Sequence, residues 1–338
     1  MIEEAIKTIS AGNDLSKSQM YDVLQEIMTG KAATPEIVSF LTALDKKGES
    51  IEELTAAVTV MRRYVTKIDT KNKIILDTCG TGGDKKGTFN ISTVVAFVAS
   101  GCGIAVAKHG NRSVSSSCGS ADTLEALGIN INLAAEKLGA CLDEVGIAFL
   151  FAQNLHPAMK YAMPARKEMG VKTIFNILGP LSNPAGATHQ LVGVYDARWT
   201  EILAQVLFNL ASVHALVVCG RDGLDEITTT GPTAISELHK GKISNYEIDP
   251  QDFGFKKAKL EDLKGSTPLD NSRIMMDILK GKPGPGRDIV VLNAAAALYA
   301  ADRVKNIKEG LKLASDSIDS GRALEKLELL KDYSLKNS

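Results

Sequence analysis

Five short apolar runs limit what this chain can fold into. They are "IILD", "IAVAK", "IAFLFA", "QLVGVY" and "HALVVCG", all after Lys73 and separated by helix-length segments. Apolar runs that are continuous rather than alternating suit strands whose sheet is covered by helices on both faces. They predict an α/β domain with a central, mostly parallel sheet flanked by helices. Residues 1–71 carry no such run. There Met20, Val23, Leu24, Ile27 and Met28 recur at helical spacing up to Gly30, and Thr34-Pro35 opens a second helix bearing Ile37, Val38, Leu41 and Leu44. Ser50 with Glu53 forms a capping box for a third. The expected organisation is a small helical domain, 1–71, hinged to a larger α/β domain, 72–338. The Pro/Gly-punctuated stretch at about 155–187 is expected to return to the first domain as a helix and a hinge. Short antiparallel strands are expected after Gly231, and helices again from about Ser272. "GKPGPGRDIVVLNAAAALYAAD" reads as a linker and a buried helix.

Composition narrows the functional classes. With 44% hydrophobic and 23% charged residues the chain falls in the ordinary globular range. Thirty-nine basic and forty acidic residues give a formal charge of -1, so nothing pulls the whole molecule toward nucleic acid and any anion site must be local. No window is apolar for long enough to cross a bilayer, and the acidic, amphipathic "MIEEAIKTIS" does not read as a targeting leader, so a cytoplasmic location is expected. The five cysteines have neither Cys-x-x-Cys nor zinc-finger spacing and read as buried free thiols.

Three loops carry the chemistry. The first is "CGTGGD", ahead of the helix that runs into "VVAFVAS". Lys85 stands where the Walker A pattern needs its second glycine, and Gly83 with Lys85 breaks the dinucleotide fingerprint. The glycines fit either a tight strand-to-helix turn or a nest of N–H groups for phosphate oxygens. Asp84 is odd for a bare anion site, but suits sugar hydroxyls or a metal ion shared with phosphate. Thr88, Asn90, Ser92 and Thr93 add groups that either cap the helix or meet a diphosphate and its magnesium. The second loop is "AKHGNRSVSSSCGSAD", in which Lys108, His109 and Arg112 bring positive charge and Asn111, Ser113, Ser115, Ser116 and Ser120 bring hydrogen-bonding groups. His109 fits a substrate contact or an orienting histidine equally well. Loops after neighbouring strands of an open α/β sheet face one crevice. The third is "GRDGLDEITTTG", whose Asp225-Glu226 pair reads as a surface turn or as oxygen ligands for magnesium.

Taken together, "GTGGD", "KHGNRSVSS", "GSADTLEALG", "TIFNILGPLSNPA" and "DGLDEI", in this order behind a helical region, resemble the anthranilate phosphoribosyltransferases over nearly the whole chain. The resemblance implies a helical domain hinged to an α/β domain and a homodimer joined through the helical domain. It implies magnesium-dependent transfer of the phosphoribosyl group of phosphoribosyl pyrophosphate to anthranilate in tryptophan biosynthesis, with no nucleic-acid or membrane partner. Gly80, Gly83 and Asp84 would then meet the substrates, and Thr88, Asn90, Ile91, Ser92 and Thr93 would surround the pyrophosphate. Lys108, His109, Gly110, Asn111, Arg112, Ser113, Val114, Ser115 and Ser116, with Ser120, would line the phosphoribosyl site. Gly80, Asn111 and Arg166 would meet anthranilate, Arg166 through its carboxylate. Ser92, Asp225 and Glu226 would hold Mg2+. No catalytic proton-transferring residue is expected, because an aryl amine is already unprotonated at neutral pH. The chain departs from the family pattern at Ser117 and Lys172, where relatives carry a basic residue and Arg. The rival readings are a nucleoside phosphorylase and a non-catalytic nucleic-acid-binding relative. The first would have to hold free phosphate without the acidic pair, and the second would need a basic face.

Overall fold

The computed structural model describes residues 1–113 and 118–337. Four helices come first, α1 (Ile2–Ser10), α2 (Lys17–Met28), α3 (Thr34–Lys47) and α4 (Ile51–Tyr64). Their starts follow from local chemistry. The hydroxyls of Ser16 and Ser50 accept the amides of Gln19 and Glu53, whose side chains reach back to the capping residues. A cap of this kind contributes about 1 kcal/mol. Glu53 also ties the bundle together: its fully buried carboxylate accepts from Leu15 N at 2.9 Å, Ser50 N at 2.8 Å and Lys47 Nζ at 2.8 Å.

All five apolar runs are strands: β1 (Ile75–Asp77), β2 (Ala105–Gly110), β3 (Ile147–Phe151), β4 (His189–Gly193) and β5 (His214–Gly220). They pair in parallel, and an antiparallel hairpin, β6 (Thr233–His239) and β7 (Lys242–Ile248), extends the sheet beyond β5. The strand order is β3-β2-β1-β4-β5-β6-β7. The chain thus builds outward from β1 to β3 and then returns to the other side of β1. That reversal opens a crevice beyond the C-terminal ends of β1 and β4, where sheets of this type bind ligands.

The helices of this part are α5 (Ile91–Gly101), α6 (Ser120–Ala126), α7 (Ala135–Glu144), α8 (Ala152–Leu155), α9 (Met163–Met169), α10 (Ile174–Leu178), α11 (Arg198–Asn209), α12 (Pro268–Leu279), α13 (Pro285–Ala300), α14 (Ile307–Asp319) and α15 (Arg322–Lys336). Strand alternation divides the core. Leu191, Leu216, Val218 and Ile235 pack with α5 and α13, whereas Val192, Val217, Cys219 and Leu238 face the layer of α1 to α4. Within the segment 155–187, α9 packs on α3 and α10 on α4. Helix α11 joins that helical layer, wedged between α4 and strands β5 and β6, so the helical core runs into one face of the sheet. The late helices begin at Pro268 rather than Ser272, because the Thr267 hydroxyl accepts the Asp270 amide at 3.2 Å and proline suits a first turn. Among the described residues no helix is long and apolar enough to cross a membrane.

Candidate functional site

The crevice is built on buried polar side chains at the end of β1. Asp77 is fully buried; it accepts from Asn183 Nδ2 at 2.7 Å and His109 N at 3.2 Å, and burial pushes its carboxyl up to about 6. Beyond it the first loop crosses to β4, where Thr81 N donates to Gly193 O at 2.8 Å. Gly193 has no room for a side chain, since a Cβ there would lie 1.6 Å from the carbonyl oxygen of Asp225. Gly83 adopts φ 77°, a left-handed conformation in which only glycine is unstrained, and its carbonyl accepts from Lys172 Nζ at 2.7 Å.

The third loop meets the first through carboxylates. Gly82 N donates to Asp225 Oδ2 at 2.9 Å, and Ser92 N donates to Glu226 Oε1 at 3.0 Å. Glu226 therefore covers the N-terminus of α5, as a carboxylate does favourably. The amides of Ile91 and Thr93 are bonded to Phe89 O and Asn90 O, and the Thr93 hydroxyl is buried without a partner. These first amides of α5 are therefore already engaged within the protein. In the glycine turn the consecutive amides of Gly83, Asp84 and Lys85 have no protein acceptor among the described residues. That is where an anion has donors to meet.

Asp84 completes the cluster. Its Oδ1 accepts from Lys86 N at 3.0 Å, while its Oδ2 is buried with no partner. Burial, and then the charge of Asp84, raise the Asp225 carboxyl to about 7; burial and Asp225 likewise raise Glu226 well above the ordinary range. Lys108 opposes this only in part, since its buried Nζ is spent on Thr78 O at 3.0 Å and His109 O at 3.3 Å. Asp84, Asp225 and Glu226 are near enough for their charges to act on one another and have no ion-pair partner among the described residues, but their oxygens are not all drawn within one ion's reach. Carboxylate oxygens of this kind suit a hard divalent ion such as Mg2+, Ca2+ or Mn2+. The Ser92 hydroxyl, at the same helix start, has no protein partner among the described residues.

The second loop joins this crevice through Asn90, whose Nδ2 donates to Cys118 O at 3.3 Å and whose Oδ1 accepts from Thr123. Arg112 is held by Asp122 and Glu125 on α6, and Asn111 Oδ1 accepts from Arg112 N at 2.8 Å and Gln153 Nε2 at 3.2 Å. Ser120 Oγ donates to Asn111 O at 3.3 Å, and the Ser113 amide donates to Asp122 Oδ2 at 3.2 Å. Gly110 is a glycine by crowding, a Cβ there falling 2.3 Å from Ser120 Oγ. Val114, Ser115, Ser116 and the departure at Ser117 lie outside the described residues.

His109 proves to be turned inward. Gly179 O can only accept, so Nδ1, at 3.1 Å from it, carries the proton, and Nε2 then accepts from His156 Nε2 at 3.1 Å. Burial, followed by His156 and Lys108, pushes its pKa down to about 3, which leaves the ring neutral. Thr88 is bridged to Lys264 through the backbone, and Ile91 is buried. Arg166, on α9, has no carboxylate partner among the described residues. Its Nη2 meets only Asn176 Oδ1, at 3.5 Å, and its guanidinium stands 5.7 Å from the centre of the Phe175 ring.

Three supporting asparagines were not anticipated. Asn183 holds Asp77, Asn271 Oδ1 accepts from Asn90 N at 3.1 Å, and Asn293 brackets the residue after Glu226. The last accepts from Ile227 N at 2.9 Å and donates to Ile227 O at 2.8 Å. Its signal was visible as a lone amide inside "VVLNAAAALYA".

Comparison with known proteins agrees with this architecture. Residues 72–324 match the family described as "Glycosyl transferase family, a/b domain", and residues 3–65 its "helical bundle domain". The chain is 52% identical over 331 residues to the anthranilate phosphoribosyltransferase of Methanocorpusculum labreanum, covering 98% of this chain and 97% of the relative. It is 50% identical over 328 residues to that of Symbiobacterium thermophilum, covering 97% and 96%. Among solved structures, the Thermus thermophilus enzyme of that name superposes with a TM-score of 0.93 at 40% identity, covering 98% of this chain and 99% of the other. The Saccharomyces cerevisiae enzyme in complex with PRPP and Mg gives 0.91 at 29% identity, covering 99% and 98%.

Proposed function

The chain belongs to the anthranilate phosphoribosyltransferase family, and from that premise we propose how its residues divide the work. The reaction is transfer of the 5-phosphoribosyl group from phosphoribosyl pyrophosphate to the amine of anthranilate, giving N-(5-phosphoribosyl)anthranilate and pyrophosphate. The observation that supports the residue assignment best is the Asp84–Asp225–Glu226 cluster set against the unpartnered amides of Gly83, Asp84 and Lys85.

Ser92, Asp225 and Glu226 hold Mg2+, with the orphaned Asp84 oxygen as a further donor. When bound, the metal supplies the charge that a departing diphosphate needs. The glycine-turn amides, with Gly80, Thr88 and the start of α5, take the diphosphate. The stretch 108–116 and Ser120 take the phosphoribosyl end, Lys108 acting through its field because its ammonium is committed to two carbonyls. Arg166, with an uncompensated charge and its guanidinium beside Phe175, pairs with the anthranilate carboxylate, and Gly80 and Asn111 line the acceptor side.

The aryl amine attacks the anomeric carbon as the bond to diphosphate breaks, and it needs positioning more than a base. Neutral His109, engaged on both nitrogens, holds the second loop and moves no proton. We place the domain boundary at 71/72, with closure about the segments near it and at 155–187 excluding water from the sugar carbon. Lys172, bonded to Gly83 O, couples that hinge to the glycine turn. A cytoplasmic homodimer serving tryptophan biosynthesis completes the reading.

Calorimetric binding of phosphoribosyl pyrophosphate tests the assignment. Affinity should require Mg2+ and fall by at least about tenfold in Glu226→Gln, as loss of a metal contact implies. Equal, metal-independent binding by both proteins would remove the acidic pair from the site.

A further inference from the structure

A second polar cluster lies at the opposite end of the strands. His189 opens β4, His214 opens β5 and His239 closes β6, and the sheet register pairs His189 with His214 and His214 with His239. Three imidazoles therefore stand in one row across adjacent strands, about 20 Å along β5 from the crevice end. His214 is fully buried, and its ring stacks on that of His239 with centroids 4.0 Å apart.

Two carboxylates flank the row. Asp302, at the end of α13, lies 2.8 Å from His214 Nδ1, 3.4 Å from His189 Nε2 and 3.5 Å from His239 Nε2. Glu237 lies on the other side, its Oε1 3.3 Å from His214 Nε2 and 3.7 Å from His239 Nδ1. Glu237 already accepts from Tyr299 at 2.7 Å and Tyr246 at 2.8 Å. A neutral His214 with its proton on Nδ1 toward Asp302 turns a lone pair toward a carboxylate oxygen, and among the described residues that buried Nε2 has no hydrogen bond of good geometry. A cation between them would resolve the conflict.

We propose that His214 Nε2, His239 Nδ1 and Glu237 Oε1 form a binding site for a divalent transition-metal ion of the Zn2+ class, separate from the acidic crevice. The separations of 3.3 and 3.7 Å are close to the ~3.3 Å between ligands of a tetrahedral ion with bonds of about 2.0 Å. Imidazole donors select Zn2+, Co2+ or Ni2+ over Mg2+. The outer support that such sites use is already in place: Asp302 on the far nitrogens of both histidines, and two tyrosine hydroxyls on Glu237. The side chain of His239 is 27% exposed, so its ring can tilt out of the stack to complete the site and leave the fourth position to water.

The test uses full-length protein freed of metal by chelation and then titrated with Co2+ in the presence of excess Mg2+. One equivalent should bind with the visible absorption of a low-coordinate, nitrogen-ligated ion, and Zn2+ should displace it. His239→Ala and Glu237→Gln, both outside the reaction site, should each weaken this binding by roughly tenfold to a hundredfold with Mg2+-dependent turnover retained. Absence of a Mg2+-resistant Co2+ equivalent in the parent protein would overturn the proposal, as would unchanged Co2+ binding in whichever of the two variants is folded.

Discussion

Asp225 and Glu226 are half-buried side by side, with their carboxylates drawn in against the backbone of the first loop and of α5. The sign of the consequence follows from the Asp225 carboxyl, raised from 3.8 to about 7 chiefly by burial. The unfolded chain gives up this proton at its ordinary pKa, whereas the folded chain keeps it to about 7. In metal-free protein this group's contribution to stability is therefore lost as pH rises across that interval, and is constant above it. Asp225→Asn should flatten that part of the stability–pH curve, as urea unfolding at about pH 5 and about pH 8 would show, and should lower Mg2+-dependent turnover by about a hundredfold or more. His109 gives the opposite expectation for catalysis. Because its pKa is pushed down to about 3, His109→Asn should leave turnover within about tenfold and add or remove no limb of the kcat–pH profile near an imidazole pKa. Loss of turnover with substrate affinities intact would make it a proton carrier. In the sequence this ring was equally a substrate contact or an orienting residue. The choice rests on Gly179 and His156, which only the fold brings to it.

At the scale of elements, α13 is the clearest case of a helix that serves a distant loop. Asn293 sits amid buried alanines and pairs both ways with the Ile227 backbone. Asn293→Ala leaves two buried backbone groups unpaired, which should cost about 2–4 kcal/mol in denaturant unfolding and loosen the Asp225-Glu226 turn. The expected kinetic mark is a higher KM for phosphoribosyl pyrophosphate; an unchanged KM in a destabilised protein would make Asn293 purely structural. The strands themselves were legible, because runs such as "HALVVCG" admit few alternatives once helices cover both faces. Helix α11 was not legible as part of the helical layer, since its place between α4 and β5 depends on crossovers that local patterns do not encode. The cover on α5 was hidden for the same reason: Glu226 lies 134 residues from the Ser92 amide that it caps.

For the whole molecule, the two cores and the switch between β1 and β4 place the first and third loops at one crevice and tie the second to it through Asn90. The relation among "GTGGD", "KHGNRSVSS" and "DGLDEI" was readable only as a set, and the row of His189, His214 and His239 not at all, because sheet register assembles it. The homodimer reading predicts that sedimentation velocity gives a single species of twice the chain mass, reduced to monomer by charged substitutions on the helical layer. The central claim is tested most directly by following the fluorescence of anthranilate mixed with the purified protein and phosphoribosyl pyrophosphate, with and without Mg2+. Loss of anthranilate that requires Mg2+ and is matched by pyrophosphate release is the predicted result. No loss, from folded protein supplied with metal and both substrates, would contradict it.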